Sequence, residues 1–85
     1  MPQKIVGHTA PTAFIEAMNA LAESHDMRIV VDITRAYHYG AAFNVEMEII
    51  LPPDMTVRES HDIALALQHR IEGHDNVERA FVHVS

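Results

Sequence analysis

Cysteine is absent from the 85 residues, which removes disulfide staples, thiolate nucleophiles and every thiolate zinc site. The absence suits a reducing compartment, and it leaves only nitrogen and oxygen to hold any metal. Cationic side chains are also scarce. Six Lys and Arg stand against twelve Asp and Glu, a formal charge of −6. Phosphate recognition depends on clustered cations, so nucleic acid is not an expected partner. The three glycines are scattered and form no phosphate-cradling loop. No run approaches the ~18–20 apolar residues that span a bilayer, and no apolar h-region follows Met1 to Lys4, so the chain is expected to be soluble, without direct membrane insertion.

Histidine, by contrast, is abundant. Protonating all seven would carry the charge from −6 to +1, so the surface field should respond to mildly acid pH. Most single histidines are surface polar residues with no shared task. Eighty-five residues make one small domain, near the size at which pairing with a second chain helps.

Along the chain, "HTAPTAFIEAMNALAES" places Pro11 in a first helical turn and Phe14, Met18, Leu21 and Ala22 at helical spacing, which predicts a helix from about Pro11 to Ser24. "MRIVVDITRAYHYG" turns to β-branched alternation, with Ile29, Val31 and Ile33 on one side, Val30, Asp32 and Thr34 on the other, and Gly40 at a tight turn. In "FNVEMEIILPPDMTVRESHDIA", Phe43, Val45, Met47 and Ile49 alternate with Asn44, Glu46 and Glu48, and Pro52-Pro53 ends that strand. Thr56 and Glu59 then form a capping box for a helix to about Glu72, with Ile63, Leu67 and Ile71 as its buried stripe and Gly73 as its stop. "NVERAFVHVS" is a last short strand.

The order is helix, strand, strand, helix, strand. A tight turn makes the first two strands antiparallel, and a helical crossover makes the third parallel to the one it leaves. The expected fold class is α+β: a ferredoxin-like αββαβ domain, its three-stranded mixed sheet carrying both helices on one face. Alternation then sends Asp32, Glu48 and His83 to the open face beside Val30, Ile50 and Phe81. Carboxylates and an imidazole are ligands for a divalent metal, and an uncovered face with apolar residues is a dimer surface. The plain alternative is a solvated sheet face.

Several motifs exclude themselves. "SHD" occurs at Ser24–Asp26 and at Ser60–Asp62, but contiguous residues diverge and cannot form the relay of a catalytic triad. His61 and His69 lie roughly 80° apart around a helix and lack the spacing of a zinc-protease helix. The cluster Arg35, Tyr37, His38 and Tyr39 suits hairpin or interface packing better than base stacking. No nucleophile, base and orienter come together, so an enzyme is not expected.

The run "RAYHYG…FNVEMEIILPPDMTVRESHDIALALQHRIE…VERAFVHV" resembles the cytoplasmic C-terminal domain of cation diffusion facilitator transporters, in particular the eukaryotic manganese-type subgroup. "IVGHTAP" is similar to the segment leaving the last transmembrane helix, so residues 1–8 are expected to be a leader. The resemblance implies a homodimer through the open sheet face, a transmembrane domain of the same transporter as partner, and a place on the cytoplasmic side of a membrane. It also implies metal ligands at Asp32, Glu48, His61 and His83, with a further position at Ser85. Members of the zinc type resemble a histidine-rich site where this chain has Asp32 and Glu48. Oxygen donors favour harder ions, so Mn²⁺ is expected ahead of Zn²⁺, at a weaker site. Two other readings stay open: a metal-free assembly module of such a transporter, and a stand-alone metal chaperone or small-molecule-binding domain.

Overall fold

The computed structural model describes residues 4–5 and 10–85. Apart from Lys4 and Ile5, the expected leader lies outside the described residues. Pro11 opens the first helix, α1 (Thr12–His25), without a side-chain cap, its carbonyl accepting from the N–H groups of Phe14 and Ile15. Ile15, Met18, Asn19 and Ala22 recur at i, i+3, i+4 and i+7, so one stripe of α1 is buried while Phe14 and Leu21 flank it. The chain leaves α1 through extended Asp26. The Asp26 carboxylate accepts from the Arg28 N–H at 2.9 Å and from its guanidinium Nε and Nη2, at 3.1 and 2.9 Å.

The sheet is built on a hairpin. Strand β2 (Val30–Tyr39) and strand β3 (Ala42–Ile50) are joined by Gly40 and Ala41. Gly40 has φ +62°, and no other residue among those described has positive φ. A left-handed first position alone is the pattern of a type II′ turn, whose twist matches the flanking strands. Helix α2 (Val57–Glu72) starts at the expected capping box: the Glu59 N–H donates to Thr56 Oγ1 and the Thr56 N–H to Glu59 Oε1, both at 3.1 Å. Ala64, Leu67 and Ile71 are its buried face. The helix ends at Gly73 without a left-handed residue. Gly73 keeps a right-handed helical φ of −75° and donates to His69 and Arg70 carbonyls, so it stops the helix differently from the expected glycine cap.

Strand β4 (Val77–Val84) runs parallel to β3, and β3 runs antiparallel to β2, giving the expected mixed three-stranded sheet. A two-residue edge strand that the sequence did not foretell, β1 (Lys4–Ile5), adds parallel to β2. Both helices cover one face. Between them and the sheet, Ile15, Met18, Val45, Met47, Ile49, Leu67 and Ile71 are fully buried. No helix among the described residues is long and apolar enough to cross a membrane.

One expectation about β2 fails. A β-bulge between Val31 and Ile33 inserts Asp32 as an extra residue and reverses the alternation beyond it. Thr34, expected outward, is fully buried opposite Met47, and its hydroxyl donates to the buried Asn19 Oδ1 on α1. Ile33, expected inward, lies on the open face opposite Glu48.

Candidate metal centre on the open sheet face

Register arranges the open face in rungs across β2, β3 and β4. One rung is Ile33, Glu48 and His83; the next is Arg35, Glu46 and Phe81; the third is Tyr37, Asn44 and Arg79. Neighbouring strands lie about 4.8 Å apart, so the carboxylate of Glu48 and the imidazole of His83 stand side by side on one rung. At the strand ends Val30 pairs with Ile50, both exposed, and Phe81 is half exposed. The face is therefore polar in its middle with an apolar residue at several corners.

Glu48 already has a cation. Arg35 Nη1 donates to Glu48 Oε2 at 3.1 Å, and the two side chains are 28% and 30% exposed. This pair crosses one rung diagonally, since the direct cross-strand partner of Arg35 is Glu46. Strict alternation does not find it, because without the bulge Arg35 falls on the helix-side face of the strand. The signal that finds it is the change of parity in "VVDITRAYHY", where small Thr34 and Ala36 take the buried positions after Val31.

The other expected ligands are spread out. Asp32 is half buried in the bulge with no cross-strand partner in the ladder, so it stands beside the rung of Glu48 and His83 rather than on it. His61 is exposed on α2, which packs on the opposite face of the sheet, and its Nδ1 lies 3.6 Å from Asp62 Oδ1. Ser85 follows β4, its N–H donating to the Ile49 carbonyl at 2.9 Å. Among the described residues no group of three or more His, Asp or Glu is gathered to hold a metal within one chain. Glu48 and His83 offer one oxygen and one nitrogen donor on the same rung, the donor types a divalent ion takes.

The hairpin cluster packs as expected for its inner member. His38 stacks on Phe43 at 4.7 Å, Phe43 on Phe14 at 4.7 Å, and His74 meets Phe14 edge-on at 5.8 Å, while Tyr37 and Tyr39 are exposed. Asn44 Oδ1, in the rung between Tyr37 and Arg79, is buried without a hydrogen-bond partner. At the far end of β2, the Arg28 guanidinium holds the Asp26 carboxyl down at about 2, chiefly by its side-chain hydrogen bonds and then by its backbone N–H.

Residues 10–85 match the family described as cation efflux protein, cytoplasmic domain. Metal tolerance protein 3 of Oryza sativa subsp. japonica is 46% identical over 81 residues, which are 94% of this chain and 20% of that protein. The chain spans about a fifth of the length of such relatives. Among solved structures, a variant of the MamM CTD in its cadmium form superposes with a TM-score of 0.80 at 26% identity, covering 87% of this chain and 94% of that one. The metal-bound C-terminal domain of the CzcD transporter from Thermotoga maritima gives 0.76 at 16% identity, covering 86% and 87%, a likeness of fold alone. A whole-domain family match, together with a relative this similar over nearly the full chain, means that the protein belongs to the cytoplasmic domains of the cation efflux family.

Proposed function

We propose that this domain dimerises through its open sheet face and responds to a divalent cation as the cytoplasmic part of a metal efflux transporter. The observation that carries the reading is the half-site: Glu48 and His83 are neighbours on an uncovered rung, and among the described residues no third ligand joins them. A pair formed across two open faces brings together two such halves, and with them Glu46 and Glu48 of both copies. Apposed carboxylates repel, so the closed pair is favoured when a cation neutralises them. Asp32, in the bulge beside this face, is the further donor placed to complete the set, whereas His61, on the helix side, would join only through a different contact between copies.

The oxygen-rich ligand set favours Mn²⁺ over Zn²⁺ relative to histidine-rich sites. The cadmium form of the MamM CTD, a variant 26% identical to this chain, supports a metal role. Cation passage itself belongs to ionisable groups inside membrane-spanning helices, outside these residues. One observation favours a second reading, a metal-free assembly module: Arg35 already neutralises Glu48.

Calorimetric titration with Mn²⁺ and with Zn²⁺, on wild type and on Glu48→Ala/His83→Ala, with light scattering of each sample, separates the two. Saturable binding that the double substitution abolishes, accompanied by a shift of oligomeric state or shape, is the expected result. A dimer giving no heat with either ion leaves the assembly module.

A further inference from the structure

We infer that Arg35 is the resident cation of the open face, and that a divalent ion binding Glu48 competes with it for the carboxylate. The inference rests on the reading of Glu48 and His83 as a half-site and adds the residue that sets its affinity. Three observations carry it. Arg35 Nη1 is hydrogen-bonded to Glu48 Oε2 at 3.1 Å, occupying a carboxylate oxygen that a metal would use. Both side chains are about seven-tenths covered, so the pair is less screened than an exposed one. Finally, Glu46 stands directly across from Arg35, one rung from Glu48.

That last placement makes the displacement cheap. Glu46 and Glu48 lie about 6.7 Å apart along one face of the strand, and the planar fork of a guanidinium pairs with a carboxylate through either arm. On leaving Glu48, Arg35 finds Glu46 without leaving the sheet. The other charged or titratable groups of the face are His83, which completes the half-site, and Arg79 and Tyr37, two rungs away on either side of Asn44; Asp32 sits in the bulge at its margin. Arg35 therefore acts as an internal competitor that keeps the face near neutrality when no metal is bound and raises the concentration at which metal takes over.

The test is calorimetry with Mn²⁺ alone, at fixed ionic strength, on wild type, Arg35→Gln, Arg35→Gln/Glu48→Gln and Arg79→Gln. Losing one charge-assisted hydrogen bond on the competing side tightens binding about tenfold in Arg35→Gln. The gain disappears in the double variant, and Arg79→Gln gains much less. A second readout uses Zn²⁺: in wild type the Arg35 Nη1–H, the donor to Glu48, exchanges faster with solvent as metal is added. Equal Mn²⁺ affinity in wild type and Arg35→Gln overturns the inference and leaves the half-site reading intact. An equal gain in Arg79→Gln overturns it in favour of the general field of the face. No binding by any of the four overturns it together with the half-site reading, and binding by Arg35→Gln alone supports it in its strongest form.

Discussion

The buried Thr34–Asn19 hydrogen bond ties α1 to β2, and removing its donor gives the sharpest test of the bulged register. Thr34 is fully buried and Asn19 is 5% exposed, so Thr34→Val strands the Asn19 carbonyl oxygen out of reach of water. A buried acceptor left unpaired costs about 1–3 kcal/mol. The added methyl offsets less than about 0.8 kcal/mol of that. The net loss, centred on about 1.5 kcal/mol, lowers Tm by about 6–12 °C for a domain of this length. Replacing both partners, as Asn19→Leu/Thr34→Val, removes the unpaired group and recovers much of the loss. Urea denaturation in the presence of a chelator, at one protein concentration so that dimer dissociation is held constant, supplies the four corners of the cycle. If Thr34 instead faced solvent, as unbroken alternation requires, Thr34→Val would be within about 0.5 kcal/mol of wild type. That result, or a double variant as unstable as the sum of its singles, refutes the packing described.

The two glycines that matter should respond oppositely to alanine. Gly40→Ala forces a side chain to φ +62° and destabilises by about 1 kcal/mol, whereas Gly73→Ala, at φ −75° with its nearest neighbour 3.4 Å away, stabilises by about 0.4–1 kcal/mol; paired melting curves check both. Thr56→Ala removes the N-cap of α2 and costs about 1 kcal/mol in the same assay. Asp26 has a folded pKa of about 2, below its ordinary 3.8, so its contribution to stability is complete above the ordinary value and is lost as pH falls towards and through 2. Carbon-detected NMR titration should find that midpoint in wild type and a midpoint returned towards 3.8 in Arg28→Gln.

Sequence pattern revealed those parts of this molecule that depend on neighbours a few residues apart. Val45, Met47 and Ile49 alternate without interruption, so the buried side of β3 and the outward place of Glu48 follow directly. The capping box at Thr56 and Glu59 is equally local. Strand β2 defeats the same logic because the bulge at Asp32 changes parity partway along it. Ile33 then lies outside although it is apolar, and Thr34 inside although it is polar. What settles Thr34 is Asn19, fifteen residues earlier on another element, a contact that no local periodicity reports. Strand β1 is too short to carry a pattern. For the candidate site, Glu48 and His83 were legible from alternation and strand order together. The ion pair of Glu48 with Arg35 was not, because it depends on the shifted register, which also leaves Asp32 in the bulge without a rung of its own.

The central claim, that two copies meet across their open faces and hold a divalent cation between Glu48 and His83, is tested most directly by anomalous diffraction from crystals grown with Mn²⁺. The account predicts one or more anomalous peaks between protomers, within coordinating distance of Glu48 and His83, with the Arg35 guanidinium moved off Glu48. Crystals of the same dimer without any such peak, or with manganese bound only at residues away from that rung, would contradict it.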